Sequence, residues 1–326
     1  MTVARVVRFE SYGGPDVMRL VDVDLPAPAA GEVRLRQTAI GFNFVDTYQR
    51  SGLYKIPLPS GAGNEAAGVV EAVGSDVEDL VVGDRVAYAT AGPGAYATHR
   101  NVPAGKLVKI PATVSDEQAA VFMLKGMTAQ FLVKKTHRIV PGDLVIVHAA
   151  AGGVGQILVR WAKALGATVV GTAGGPEKVA RVLEIGADHA IDYRKSDWVQ
   201  TLLAETGGTK AQVVYDSVGK DTFLKSLDLT APFGLVALYG SASGPVEPLD
   251  LQLLNAKGGL FVTRPSLFQH VATTATLRES AADMFGAIAA GIIGVDVGAR
   301  FSLEEIVEAH KAAEGRATTG AILITP

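Results

Sequence analysis

A glycine-rich turn near the middle of the chain is the segment whose residue types point most directly to chemistry. An apolar run, LVIVHAA at 144–150, precedes the turn AGGVG at 151–155, and an amphipathic stretch follows it. Glycines let the backbone approach a pyrophosphate closely, and the N-terminus of the next helix offers free N–H groups to the phosphates. This order of strand, turn and helix predicts a dinucleotide site with Gly152 and Gly153 at the phosphates.

The second predicted strand after this turn ends without a carboxylate. An Asp or Glu about 20 residues past the turn usually accepts hydrogen bonds from the ribose hydroxyls, and it would repel a 2'-phosphate. Here the stretch reads GTAGG at 171–175. We therefore expect NADPH as the cofactor. The candidates for binding its 2'-phosphate are Gly174, Lys178, Tyr193 and Arg316.

Composition narrows the class of protein. The chain has 326 residues, of which 48% are hydrophobic and 19% charged, so it can form two domains with ordinary cores. A net charge of -3 without any Lys/Arg block argues against a large nucleic-acid-binding surface. There is no cysteine, and the six histidines lack metal-site spacing, so no metal site is predicted. Without a signal peptide or an 18-residue apolar run, we expect a cytoplasmic protein with no membrane partner.

The order of the predicted elements indicates two domains of different fold class. The first part of the chain alternates apolar and polar residues between Gly and Pro, which is typical of antiparallel strands. Strands and helices alternate later, which predicts a doubly wound parallel sheet in the order 3-2-1-4-5-6, a Rossmann fold. Its strands are LVIVHAA, ATVVGTA, HAIDY, QVVYDSV, GLVALYG and GLFVTRP, and its helices start after Gly153, at Pro176, at Ser196 and near Lys220. We expect a discontinuous domain over 1–125 and 266–326 and a dinucleotide-binding domain over 126–265.

The segment GAGNEAAG at 61–68 has the glycine and glutamate spacing of dehydrogenases that hold a catalytic zinc ion. Asn64 stands where a histidine ligand would be expected, and the chain has no thiolate to replace it. We therefore expect a metal-free reaction. Glu65 is expected to be a buried structural carboxylate paired with an arginine.

Seven segments together resemble the zinc-independent quinone oxidoreductases of the medium-chain dehydrogenase/reductase superfamily, the group that includes zeta-crystallin. They span the whole chain: AIGFNFVDTYQRSGLY (39–54), GNEAAGVVEAVG (63–74), LKGMTAQFL (124–132), HAAAGGVGQ (148–156), YDSVG (215–219), VTRPSL (262–267) and GRATTGAILI (315–324). The resemblance implies a mainly antiparallel, GroES-like catalytic domain joined to the Rossmann domain, NADPH as cofactor, and a homodimer. An edge strand within 251–262 could pair two copies.

The resemblance also implies roles for individual residues. Asn43, Asp46 and Tyr48 would lie on the nicotinamide side, Thr128 and Val154 near the ring or its carboxamide, and Arg264 near the cofactor. The catalytic candidates are Asn43, Asp46, Tyr48, Tyr54 and Thr128. The cofactor-binding candidates are Asn43, Thr128, Gly152, Gly153, Val154, Gly174, Lys178, Tyr193, Ser217, Tyr239, Arg264 and Arg316.

Three functions remain open at this point. The first is NADPH-dependent reduction of a quinone, with hydride or electrons passing to a conjugated acceptor in the interdomain cleft. The second is reduction of an enone or enal double bond on the same scaffold. The third is a protein that binds NADPH, or RNA, without catalysis. In the first two, Tyr48 and Tyr54 could donate a proton or hydrogen bond to the substrate, while Tyr54 could equally form an aromatic wall.

Overall fold

The computed structural model describes residues 2–294, 296–315 and 318–326. The chain forms two compact units. The first unit comprises Met1–Met127, Val271–Ala289 and Val295–Pro326, and the second comprises Thr128–His270 and Ala290–Gly294.

Two sheets build the first unit. Their strands are β1 (Thr2–Phe9), β2 (Arg19–Leu25), β3 (Glu32–Gly41), β4 (Ser60–Gly61), β5 (Glu65–Val73), β6 (Arg85–Tyr88), β7 (His99–Pro103), β8 (Val108–Lys109), β15 (Val297–Ser302) and β16 (Ala321–Thr325). The smaller sheet has the order β2-β1-β4, and the larger runs β15-β16-β3-β5-β6-β8 with β7 also paired to β3. All pairs are antiparallel except β15 with β16. Because Leu323 pairs with Gly41, the last strand belongs to the same sheet as β3.

Local sequence fixes the helix that carries the candidate catalytic residues. The helices of the first unit are α1 (Phe44–Ser51), the start of α2 (Asp116–Phe131), α9 (Thr274–Ala289) and α10 (Ile306–Glu314). Helix α1 begins with a capping box between Asn43 and Asp46, and it ends at Gly52 with φ of 83°. A capping box satisfies first-turn N–H groups, and a left-handed residue at the C-terminus suits glycine. Asn43 and Asp46 are thereby held at one end of α1.

The second unit has the predicted fold. Its strands are β9 (Leu144–Val147), β10 (Thr168–Ala173), β11 (His189–Asp192), β12 (Ala211–Asp216), β13 (Thr230–Leu238) and β14 (Phe261–Thr263). All pair in parallel in the order β11-β10-β9-β12-β13-β14, which confirms the predicted order 3-2-1-4-5-6. All four residues of β9 are buried, as expected for a central strand covered on both faces.

The helices of the second unit are α3 (Gly153–Ala164), α4 (Pro176–Glu184), α5 (Trp198–Glu205), α6 (Phe223–Leu229), α7 (Gln252–Ala256) and α8 (Leu267–His270). A five-residue π-helix, Leu132–Thr136, follows α2. Helix α4 starts at Pro176 as predicted, and α3 starts at Gly153, one residue earlier than predicted. Helices α5 and α6 start two and three residues later than the predicted Ser196 and Lys220, because turns occupy those positions.

Candidate functional site

The glycine turn of the second unit lies between β9 and α3. Gly152 is the N-cap of α3, and within the described part of the chain no side-chain hydrogen bond caps that helix. A Cβ at Gly155 would lie 2.7 Å from Cα of Ala150, so only glycine allows the helix to pack this closely on the turn. Gly152, Gly153 and Val154 occupy the start of this uncapped helix. The geometry fits a pyrophosphate, which would accept hydrogen bonds from the free N–H groups.

Gly174 and Tyr193, two of the predicted 2'-phosphate ligands, lie together at the ends of β10 and β11. Ala173 pairs with Asp192 in the sheet, and a Cβ at Gly174 would lie 2.9 Å from the Tyr193 hydroxyl oxygen. Lys178 is the third residue of α4, which begins immediately after this turn. The fourth predicted ligand, Arg316, lies outside the described residues.

Sequence reasoning missed an ion pair at the same place. Nε of Arg194 lies 3.2 Å from Oδ1 of Asp192, and Nη2 lies 3.3 Å from Oδ2. The backbone N–H of Gly175 donates to the same carboxylate at 3.0 Å. The hydrogen bond from Arg194 is the main reason that the pKa of Asp192 is lowered. The signal in the sequence is the pair of opposite charges that flank Tyr193 in IDYR.

Three further predicted cofactor residues follow adjacent strands of the second unit. Ser217 follows β12, Tyr239 follows β13, and Arg264 follows β14. The backbone N–H of Tyr239 donates to the carbonyl of Asp216 at 2.8 Å, and Nη1 of Arg264 donates to the carbonyl of Leu238 at 2.7 Å. The three residues therefore share the carboxyl edge of the sheet, where open α/β sheets bind their ligands. Thr128, buried on α2, also belongs to this unit.

A buried chain of hydrogen bonds supports this edge. Asp216 accepts from the backbone N–H of Gly219 at 3.0 Å and from Oγ of Ser226 at 2.8 Å. His148 links that hydroxyl, at 3.0 Å from its Nε2, to Oγ1 of Thr172, at 2.8 Å from its Nδ1. Burial lowers the pKa of His148 and so favours the neutral ring. The chain ties the ends of β9, β10 and β12 to the loop that carries Ser217.

In the first unit, a buried carboxylate gathers the side chains around α1. Asp46 accepts from the backbone N–H of Asn43 at 2.8 Å, from Nδ2 of Asn64 at 2.6 Å and from the hydroxyl of Tyr96 at 2.7 Å. Burial outweighs these donors and raises the pKa of Asp46 from 3.8 to about 6. Oδ1 of Asn64 is also buried, and no donor among the described residues reaches it.

Glu65 is fully buried, as predicted, but its predicted arginine partner is wrong. Nζ of Lys125 lies 2.7 Å from Oε1 of Glu65, and Nδ2 of Asn43 donates to the same oxygen at 2.8 Å. The backbone N–H of Leu124 donates to Oε2 at 2.6 Å. Lys125 comes from α2, 60 positions along the chain, so the residues around Glu65 held no sign of it. The two buried carboxylates therefore hold Asn43 from both ends.

Tyr48 and Tyr54 lie side by side. Their ring centroids are 5.2 Å apart with an interplanar angle of 61°, an edge-to-face contact. Tyr54 is 40% exposed. The structure thus brings Asn43 and Asp46 together, and Tyr48 and Tyr54 together, within the first unit.

The described residues contain neither a cluster of metal-binding side chains nor a membrane-spanning helix. Within residues 2–294, 296–315 and 318–326, no three His, Cys, Asp or Glu side chains are grouped as a metal ion would require. No helix in the same ranges has the length and apolar character needed to cross a membrane.

Two parts of the chain match two different domain families of known proteins, in agreement with the two units of the fold. Residues 29–112 match the family model described as alcohol dehydrogenase GroES-like domain, and residues 153–296 match zinc-binding dehydrogenase. The chain is 46% identical to quinone oxidoreductase 1 of Escherichia coli K12, over 99% of this chain and 100% of that protein. It is 44% identical to 2-haloacrylate reductase of a Burkholderia species, over 100% and 99% of the two chains.

The fold of the chain is also similar to that of a solved structure. The structure of Escherichia coli quinone oxidoreductase complexed with NADPH superposes with a TM-score of 0.96 at 46% identity, covering 99% of this chain and all of that one. The chain therefore belongs to the quinone oxidoreductases of the medium-chain dehydrogenase/reductase superfamily, and it is an oxidoreductase.

Proposed function

We propose that this protein oxidises NADPH and reduces a quinone. The observation that carries the proposal is the full-length similarity to quinone oxidoreductases, one of which binds NADPH in its solved structure. The glycine turn and the absence of a carboxylate at the end of β10 support the same cofactor. NADPH, when bound, supplies a hydride or two electrons to the acceptor.

The second unit supplies most of the groups that would hold the cofactor. The first-turn N–H groups of α3 would bind the pyrophosphate. Gly174, Lys178 and Tyr193 would surround the 2'-phosphate, with Arg316 proposed from the sequence alone. The other residues in the proposed cofactor set are Thr128, Val154, Ser217, Tyr239 and Arg264 of the second unit and Asn43 of the first.

The first unit supplies polar groups for the acceptor. Quinone reduction needs little acid catalysis, because the product gains aromatic stabilisation, so one or two hydrogen-bond donors are sufficient. Tyr48 and Tyr54 can fill that role. Asp46 is buried with both oxygens already bonded, so we assign it a positioning role toward Asn43 and Asn64.

We also propose that the reaction needs no metal ion. Asn64 stands at the position expected for a histidine ligand, and its Nδ2 donates to Oδ1 of Asp46 and, at 2.8 Å, to Oε1 of Gln49. The atom of an asparagine side chain that can face a metal ion is its amide oxygen, whereas catalytic zinc is held by Cys, His or carboxylate side chains. The chain has no cysteine, and the described residues hold no group of three His, Asp or Glu side chains that could complete such a site. Purified protein treated with EDTA should keep its full NADPH oxidation rate, and loss of activity that Zn²⁺ restores would contradict this proposal.

A second candidate function is reduction of an activated carbon–carbon double bond. The observation in its favour is the 44% identity to a 2-haloacrylate reductase over the whole chain. Both reactions deliver reducing equivalents to a conjugated acceptor, so the cofactor groups do not separate them.

A substrate panel tests both functions. The panel compares NADPH with NADH, and a para-quinone with an ortho-quinone, an alkenal and 2-chloroacrylate. We expect the highest kcat/KM with NADPH and a quinone. A higher kcat/KM for an alkene would favour the second function, and NADPH binding without oxidation by any acceptor would contradict both.

We propose a homodimer formed through the edge strand β14. This strand has one neighbour, β13, among the described strands. Phe233 and Phe261 are 77% and 61% exposed beside it, and they line a cavity of about 840 Å³ at this edge. Phe233 also has a φ of 61°, which is uncommon for a bulky residue. An unpaired edge with exposed aromatic rings supports association with a second copy.

A further inference from the structure

We propose that Arg194 is a further ligand of the cofactor's 2'-phosphate and that its ion pair with Asp192 sets the preference for NADPH over NADH. This inference rests on the proposed function, and it adds a charged pair at the end of β11, beside the end of β10.

The first step is position. Arg194 follows β11, whose last residue, Asp192, pairs with Ala173 at the end of β10. A Cβ at Gly175 would lie 2.8 Å from Cζ of Arg194, so the guanidinium lies directly against the turn. Gly175 has a φ of 105°, which favours glycine and keeps that space free of a side chain. Arg194 therefore lies where an acidic residue of an NADH enzyme would meet the ribose.

The second step is the donor inventory. A guanidinium has five N–H groups, and Asp192 engages two of them, one on Nε and one on Nη2. Three N–H groups remain without an acceptor among the described residues, two on Nη1 and one on Nη2, and one from each nitrogen lies on the outer edge of the guanidinium. Two parallel donors on a planar edge match the oxygen spacing of a phosphate. The arginine side chain is 58% exposed and that of Asp192 only 12%, so the carboxylate anchors a cation that faces solvent.

The third step is the charge that Arg194 covers. Asp192 lies beside Gly175, whose backbone N–H it accepts at 3.0 Å. An uncovered carboxylate at this place would repel a 2'-phosphate and could accept a hydrogen bond from the 2'-hydroxyl of NADH. The end of β11 thus carries a carboxylate of the kind that binds ribose hydroxyls, and Arg194 neutralises its charge.

The test measures binding of two cofactor fragments to the full-length protein by calorimetry. Adenosine 2',5'-bisphosphate carries the 2'-phosphate, and adenosine 5'-monophosphate lacks it. We expect Arg194→Gln to weaken bisphosphate binding by about tenfold or more, because charge-assisted hydrogen bonds and one neutralising charge are lost. Binding of the monophosphate should change by less than about twofold. Lys195→Gln, which removes the exposed cation next in the chain, is the matched control and should leave both affinities unchanged.

Two more variants separate the parts of the pair. Arg194→Gln with Asp192→Asn should recover part of the lost bisphosphate affinity, because the uncovered carboxylate is gone. Arg194→Lys keeps the charge but loses the fork, so its affinity should fall between wild type and Arg194→Gln. It also serves as the test if the glutamine variant does not fold.

Two results overturn the inference in different ways. Equal bisphosphate affinity in wild type, Arg194→Gln and Arg194→Lys would remove Arg194 from the site while leaving the NADPH proposal intact. Failure of the wild-type protein to prefer the bisphosphate over the monophosphate would overturn the NADPH proposal itself, and this inference with it.

Discussion

At the scale of single residues, Asp46 shows how burial and hydrogen bonding compete. Three donors favour its carboxylate form, yet complete burial raises its pKa from 3.8 to about 6. The folded protein therefore binds this proton more tightly than the unfolded chain does. The resulting stabilisation is complete below about pH 4 and is lost as the pH rises through about 6.

This shift predicts a pH dependence of the free energy of unfolding. Between pH 4.5 and 7, wild type should lose on the order of 2 kcal/mol relative to Asp46→Asn, since one pKa unit corresponds to about 1.4 kcal/mol. Asp46→Asn should have a lower free energy of unfolding than wild type, because the new amide nitrogen would face the donors of Asn43, Asn64 and Tyr96. Urea titrations across this range give the difference.

Asp84→Asn is the control for that experiment. A hydrogen bond from Lys109 lowers the pKa of Asp84, so the stabilisation from this residue is present above pH 3.8 and falls only as the pH drops below it. Its curve should run parallel to that of wild type between pH 4.5 and 7. A parallel curve for Asp46→Asn would show that the pKa of Asp46 is not raised.

The second prediction at this scale concerns the two tyrosines. Tyr48→Phe and Tyr54→Phe should each lower kcat with a saturating quinone by roughly 2-fold to 10-fold, the value of one ordinary hydrogen bond. Each phenylalanine keeps the ring contact at 5.2 Å, so KM for NADPH should not change. Undiminished kcat in Tyr54→Phe would make that residue an aromatic wall, and undiminished kcat in both would remove the phenols from the chemistry.

At the scale of elements, the glycine turn depends on the close approach of α3 to the residues before it. In Gly155→Ala the added Cβ would lie 2.7 Å from Cα of Ala150. We expect this variant to lose NADPH binding and about 1–3 kcal/mol in the free energy of unfolding, the usual cost of overpacking. Gly286→Ala is the matched helical control. Its Cβ would meet nothing within 4 Å, and the gain in helix propensity should stabilise α9 by up to about 1 kcal/mol.

Thermal melting and cofactor binding of the two alanine variants check this prediction. Equal melting temperatures, with NADPH bound equally well, would show that α3 can shift away from the turn without loss of function. Opposite shifts in melting temperature are the expected result.

The elements also show what the sequence could predict. Apolar runs and glycine turns predicted the strands of the parallel sheet, because each of these signals lies within a short stretch of sequence. The order of the strands followed from the usual order of doubly wound sheets, and the structure has that order. Partners distant in the chain were not predictable: Lys125 reaches Glu65 from 60 positions away. The pair of Asp192 and Arg194 is local, but its importance appears only when β11 lies beside β10. Local pattern identifies elements, and the packing between them decides which charges meet.

At the scale of the whole molecule, the edge strand β14 decides the proposed oligomeric state. Phe261 lies on this edge and is 61% exposed, so a dimer would remove its ring from water. Phe261→Glu should shift the protein from dimer to monomer in sedimentation at micromolar concentration, because a buried unpaired carboxylate at an interface costs several kcal/mol. Val82→Glu, which adds the same charge at an apolar residue of the first unit that is also 61% exposed, should remain dimeric.

A Phe261→Glu variant that still sediments as a dimer would place the interface elsewhere, and a wild-type protein that sediments as a monomer would contradict the proposed dimer. NADPH oxidation by the Phe261→Glu monomer would then show whether each copy is active alone.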